Sequence, residues 1–316
     1  MERFGLRWSR LGNLVPVLFG ITVVSFVLIR LVPGDPASQI LGNRYTPEAA
    51  QEIRASLGLD RSILTQYGIF VRSAATGSFG ESYQYHRPVG ELLLDRMGPS
   101  LLLVGMTAAL CALVAVPLGL LAALRRGGLL DQGTRVFFTI GYALPGFLVG
   151  VVLILVFGLK LRWFPIGGYG TGFAEHVHHL VLPAVTLAIP FSTVLVRSLR
   201  SSTIGVLDSD FITIARLKGI SGSRVIFRHV LRNAIAPVAV VFGINLAFLV
   251  GGSVVVENVF SIPGFGSLLV GAVSTRDYPV VQAVALVLAV FVLAVNVLTD
   301  VVHSLLDPRL AVAVAR

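Results

Sequence analysis

The chain has 316 residues, 55% of them hydrophobic and only 13% charged, with a net charge of +9 and a mean hydropathy of +0.86. So few charges cannot cover the surface of a soluble domain, so the composition implies an integral membrane protein built from spanning helices. The positive balance does not point to nucleic acid, because the basic residues sit beside apolar runs, and the one cysteine, Cys111, allows neither an internal disulfide nor a cysteine metal cluster.

Six spans are predicted. The first, about Leu11 to Ile29, follows Arg3, Arg7 and Arg10. It is too long for an ordinary signal core, and the following Arg30-Leu-Val-Pro-Gly-Asp-Pro stretch has no small-residue cleavage site. Residues 1–32 are therefore expected to be a cytoplasmic segment and an uncleaved helix, with Arg30 snorkelling outward to the headgroups. Residues 33–98 read as a small extracytoplasmic subdomain, since residues 33–97 carry six basic and seven acidic side chains. Within it Thr46 and Pro47 fit the start of a helix, Ala49, Ala50, Ile53 and Leu57 repeat at helical spacing, and Gly58 suits its end. Turns are expected at Gly77, Gly80, Pro88 and Gly98.

Residues 99–306 hold the other spans, about Pro99 to Leu124, Val136 to Leu159, Leu180 to Arg197, Pro237 to Val256 and Val280 to Leu305. Pro117, Pro145, Pro183 and Pro190 lie inside them and call for kinks or local 3₁₀ turns. With the N-terminus inside, inner segments hold fifteen Lys and Arg and outer ones nine, so both termini and the 198–236 loop are expected in the cytoplasm, with 307–316 a cytoplasmic tail.

In that loop Asp208 or Ser209 can cap a short helix ending at Gly219, with Phe211, Ile214 and Ala215 on one stripe. A second helix starts near Ser221. Its expected apolar face is Ile226, Phe227, Val230, Leu231 and Ala234, with Arg224, Arg228 and Arg232 opposite. Two uses are open, a helix lying in the headgroups and a lever docked on a cytosolic partner.

The segments DFITIARLKG and HVLRNAIAP in this loop, GGSVVVENVFSIPGFGSLL and RDYPVVQA after the fifth span, RLVPGDPA after the first and LLDPR near the end together resemble the inner-membrane permeases of binding-protein-dependent ABC importers, the dipeptide/oligopeptide B type. The resemblance covers nearly the whole chain. It departs from the broad family pattern at Thr213-Ile214-Ala215, where that pattern has Glu-Ala-Ala, and in its proline, which comes late at Pro237. It implies an all-α type I importer fold in the bacterial inner membrane and half of a solute pathway. It also implies a homologous second permease, two ATPase subunits that bind ATP and Mg2+, an extracytoplasmic solute-binding protein and membrane lipid as partners. No cofactor, metal or catalytic residue is expected on this chain, which lacks a phosphate-binding lysine loop. The implied ATPase-coupling loop comprises Asp210, Phe211, Thr213, Ile214, Ala215, Arg216, Lys218, Gly219, Arg224, Arg228 and Arg232, with Ala215 and Gly219 small enough for close approach and Asp210 capping or touching the partner.

Other constellations compete. His176, His178 and His179 stand together before the fourth span as candidates for a transition metal or an interfacial cluster. Glu257 and Asn258 end the fifth span and are candidates for the pathway or gate, or for a structural hydrogen bond. Asn245 and Asn296 read as interhelical links. Ser253 and His303 lie near opposite faces, too far apart for proton transfer. Short peptides are the expected solute, with nickel or other metal chelates, glutathione and oligosaccharides as alternatives in the same class. An ion-coupled secondary transporter is the rival of another class, against which stands the scarcity of intramembrane acids beyond Glu257 and Asp300.

Overall fold

The computed structural model describes residues 8–31, 35–42, 45–56 and 58–306. Arg3 and Arg7, residues 32–34 of RLVPGDPA, Leu57 and the 307–316 tail lie outside the described residues, as do the side chains of Arg10 and His303. Among the described residues there is no strand, only an isolated bridge between Glu81 and Pro88. The chain divides into two compact units, residues 1–98 with 264–291 and residues 99–263 with 292–316. Residues 264–291, which hydropathy assigns to the membrane core, thus group with the segment after the first span.

In the first unit α1 (Trp8–Leu31) is followed by α2 (Pro36–Leu41), α3 (Pro47–Ser56) and α4 (Ile63–Thr76). The starts of α2, α3 and α4 have local causes. The Ala37 N–H donates to Asp35 Oδ1 at 3.1 Å, that of Ala49 to Thr46 Oγ1 at 3.2 Å and that of Thr65 to Ser62 Oγ at 3.3 Å. α3 stops as expected at Gly58, whose φ of +66° lets Gly58 N–H reach Ala55 O and Leu59 N–H reach Arg54 O. The Arg30 guanidinium lies 3.4 Å from the centre of the Phe26 ring and donates to Phe26 O and Gln66 Oε1, beside the aromatic group of Phe26, Tyr67 and Phe70.

The first turns of α5 (Val89–Leu124) pack on α12 (Phe265–Ser274) and the start of α13 (Tyr278–Leu306), where Val89, Leu92, Leu93, Phe265, Leu268, Val280 and Val284 form the core. Gly98, expected in a turn, lies inside α5, since apolar runs on both sides carry the helix through Gly98-Pro99. Below α12 the buried Asp277 accepts from the Ser82 hydroxyl and the Gln84 N–H.

The second unit is organised around α8 (Phe173–Leu207), whose apolar window is 61% buried against 22–28% in the three other long spans. Helices approach it through small residues. A Cβ on Gly141 of α6 (Leu129–Ala143) would come within 2.7 Å of Ile189, and one on Gly119 of α5 within 3.0 Å of Leu199. On α11 (Arg232–Val259), a Cβ on Gly243 would overlap Thr299 of α13.

Four of the described helices are long and apolar enough to cross a membrane singly, and a bent pair makes a fifth. The first predicted span is α1, apolar over Pro16–Val27. The third, expected from Val136 to Leu159 with a kink or 3₁₀ turn at Pro145, is α6 and α7 (Gly146–Leu153) with a π-helical extension Ile154–Lys160, bent by 104°. Pro145 is the cause. It pushes Leu144 to extended geometry, ψ 134°, and starts the next helix. Pro117, Pro183 and Pro190 stay inside continuous helices.

Candidate functional site

α8 ends at Asp208, whose exposed carboxylate lies 3.6 Å from Arg126. Ser209, not Asp208, stands at the N-cap of α9 (Asp210–Leu217), although its hydroxyl turns back to donate to Val206 O. Asp210 in the first turn is exposed and suits the positive end of the helix. α9 ends in a complete Schellman motif, with Gly219 N–H bonded to Arg216 O at 2.9 Å and Ile220 N–H to Ala215 O at 3.3 Å. The motif needs the left-handed φ of +74° at Gly219, while a Cβ there would meet nothing within 4 Å. Conformation, not crowding, thus requires this glycine within the chain.

Ser221 then starts the short turn α10 (Gly222–Arg224), which passes into a π-helical segment, Val225–Leu231, and on into α11. The π segment changes the expected faces. Val225 and Val230, five residues apart, are both buried and pack with Ile212 of α9, Val206, Leu207 and Ile220, whereas Phe227 is 65% exposed. An α-helical period puts Phe227 inside. The wider i to i+5 turn rotates it out and brings Val225 in.

The same small core sorts α9. Ile212 and Ala215 are both buried, so Ala215 is not on the stripe with Phe211 and Ile214. Phe211, Ile214 and Leu217, three residues apart, are 45%, 51% and 82% exposed and form an apolar ridge. Thr213, Arg216, Lys218, Arg224, Arg228 and Arg232 are exposed around it.

One residue absent from the expected site holds this end of the bundle together. Asp131, fully buried, accepts from Arg200 Nε at 2.6 Å and Nη2 at 2.9 Å, from Arg135 Nη2 at 2.9 Å and from the Gly127 N–H at 2.9 Å. It ties α6 and the preceding turn to Arg200 on α8, ahead of α9. Its signal in the sequence is a lone acid among Arg125, Arg126 and Arg135, four residues ahead of the last. Ser202 adds a second tie, donating to Ala234 O of α11 at 3.0 Å. Between α6, α8 and α11 lies a cavity of about 670 Å³.

The remaining candidates make hydrogen bonds within this chain. His176 Nδ1 lies 2.7 Å from Tyr169 O, His178 Nε2 3.1 Å from Trp163 O and His179 Nδ1 2.8 Å from Gly167 O. The three rings thus diverge to pin the loop before α8, and no metal-holding group of three His, Cys, Asp or Glu occurs among the described residues. Glu257 is fully buried and accepts from the Ser100 hydroxyl at 2.7 Å, while Asn258 is exposed and bonds its own helix at Val254 O. Asn245 likewise bonds its own helix at Val241 O rather than a neighbour.

Residues 115–312 match the family described as "Binding-protein-dependent transport system inner membrane component", and residues 1–104 match its N-terminal counterpart, "Binding-prot-dependent transport system membrane comp, N-term". The chain belongs to this family. Among inner membrane components the probable peptide ABC transporter permease protein y4tP of Sinorhizobium fredii is 38% identical over 304 residues, covering 95% of this chain and 97% of that one. The oligopeptide transport system permease protein AppB of Bacillus subtilis is 37% identical over 94% and 96% of the two chains. The glutathione transport system permease protein GsiC of Escherichia coli is 35% identical over 96% and 97%. Among solved structures, the MetNI methionine ABC transporter in inward-facing conformations is similar with a TM-score of 0.57 at 16% identity, over 68% of this chain and 96% of that one. At that identity the likeness shows the fold alone, the type I importer permease fold. The chain is thus an ABC importer permease, and the loop, Asp131 and the cavity all lie within the inner-membrane-component match.

Proposed function

We propose that this chain forms half of a translocation pathway for short peptides and is worked from the cytoplasmic side by separate ATPase subunits. Its relatives' names support the solute class, and the apolar ridge Phe211, Ile214 and Leu217 on an otherwise cationic loop carries the mechanical reading. A ridge of that kind fits a groove on a partner, and its own core and Schellman turn make it stiff enough to transmit force. The loop joins α8 directly to α11, so a push on α9 moves both.

The rest of the assembly follows from this reading. A homologous second permease supplies the other half, an external solute-binding protein delivers the peptide, and lipid surrounds the exposed faces of α6 and α7. ATP and Mg2+ bind the two ATPases, and this chain carries no catalytic group or cofactor. Both termini and the 198–236 loop face the cytoplasm, and 33–98 face outward. ATP-driven closure of the ATPases rocks the two permeases between inward-open and outward-open states.

Replacing Leu217 and Ile214 by Glu tests this without entering the loop core. The expected result is a complex from which the ATPases dissociate at least tenfold more readily, with ATP-driven peptide uptake lost and the permease still folded. Normal ATPase retention and uptake, or uptake driven by an ion gradient without nucleotide, overturns the proposal.

A further inference from the structure

We propose that the cavity between α6, α8 and α11 is a solute subsite in which Arg197 binds the C-terminal carboxylate of the peptide; this rests on the function proposed above and names the group it recognises. At about 670 Å³ the cavity has the size of a small-molecule site. Its α8 wall presents Thr193, Ser198, Ser201 and Ser202, with Tyr142 of α6 and Pro237 of α11 opposite. The hydroxyls of Thr193 and Ser202 donate within the chain, to Phe138 O or Ile189 O and to Ala234 O, which leaves Ser198 and Ser201 to meet a hydrogen-bonding solute.

The charge is placed with equal economy. Arg135 and Arg200 are both neutralised by Asp131, whereas Arg197, one turn before Arg200 on α8, has no ion pair among the described residues. Arg197 also borders a smaller cavity of about 200 Å³ lined by Arg135 and Arg200, and Asp131 of α6 is bound to those two arginines. An exposed guanidinium without an ion pair, at the end of the apolar run of α8 and bordering a cavity with hydroxyls on one wall, suits an anionic ligand. A guanidinium holds a carboxylate through two parallel hydrogen bonds. Every linear peptide with a free C-terminus carries that group whatever its side chains, so recognition here is independent of peptide sequence.

The site is also linked to the loop. Its α8 and α11 walls are the two helices that the loop joins, held together by the Ser202–Ala234 bond. A shift of α9 therefore changes the spacing between Arg197 and Pro237, so that grip on the carboxylate varies through the ATP cycle.

The test is equilibrium binding of labelled L-alanyl-L-alanine and of its C-terminal amide to the nucleotide-free importer without binding protein, in nanodiscs of neutral lipid and again with anionic lipid. The free acid is expected to bind wild type at least tenfold more tightly than the amide, Arg197→Gln to lower the acid to the level of the amide, and Arg197→Lys to keep part of the preference. Equal binding of acid and amide to wild type, or an unchanged preference in Arg197→Gln, overturns the proposal. So does an Arg197→Gln effect confined to anionic lipid, which makes Arg197 a headgroup contact. ATP-driven uptake by wild type, measured in parallel, judges the proposed function separately.

Discussion

Three glycines and two other residues do the same work at helix ends here, and the difference is testable. Gly58, Gly77 and Gly219 take the left-handed conformation after α3, α4 and α9, while Ser261 after α11 has φ +49° and Arg276 after α12 has φ +54°. At Ser261 the hydrogen bonds are the same as at Gly219, Ile262 N–H to Glu257 O and Ser261 N–H to Asn258 O, and the turn delivers Ile262 to full burial. A side chain there costs about 1 kcal/mol. Ser261→Gly is therefore expected to raise the thermal unfolding temperature by a few degrees, and Gly219→Ala to weaken the loop by a similar free energy, read as faster amide exchange at Ile220. The glycine ends were legible in the sequence. The serine and arginine ends were not, because neither residue type signals left-handed backbone. Charge gives a further check at this scale. Arg54 beside Asp35 holds that carboxyl below its ordinary range, so the contact is present above about pH 4 and is lost as pH falls through the depressed value. A carbon-13 titration of Asp35 should show a low midpoint that rises in Arg54→Gln.

Among elements, the π-helical stretch Val225–Leu231 decides which side of the loop faces a partner. Val230→Ala removes a fully buried side chain from a core of three residues and should cost roughly 1–3 kcal/mol, unravelling α9 from α11. Phe227→Ala should leave unfolding unchanged and act only on ATPase docking, and a comparable loss of stability in both variants would restore the simple α-helical register. Asp131→Asn belongs at the same scale, since it takes the charge from beneath Arg200 and Arg135 at once. Breaking such a buried pair costs about 3 kcal/mol or more, so that α6 and α8 should separate first in a melt followed by hydrogen exchange. Helix existence was readable from apolar runs, and loop position from its charge. Helix phase was not, because a 3.6-residue period was assumed through a segment that turns more widely. Nor was the fate of each proline. Pro145 breaks a span where Leu144 turns extended, whereas Pro183 and Pro190 sit within α8, the most buried of the long spans.

For the molecule in its membrane, sidedness was argued from cations alone, fifteen against nine, and that asymmetry is a statement about insertion, not about packing. It predicts which of two comparably exposed residues meets which compartment. Leu217 is 82% exposed at the tip of α9 and Leu64 83% exposed at the start of α4. In a Cys111→Ser background, Leu217→Cys should react with a membrane-impermeant maleimide only in inside-out vesicles, and Leu64→Cys only in intact cells stripped of the outer membrane. Cys111 is buried, so its removal takes away a slow background label and little packing. Adding ATP and vanadate to inside-out vesicles that retain the ATPases should then slow labelling at Leu217 at least severalfold, since a ridge seated in a groove is shielded from the reagent. Leu64 should not respond. Labelling of Leu217 from outside and Leu64 from inside would invert the topology, and labelling of both from one side would end their assignment to opposite compartments. Unaltered reactivity of Leu217 under vanadate would leave the topology standing and remove α9 as the point where force enters.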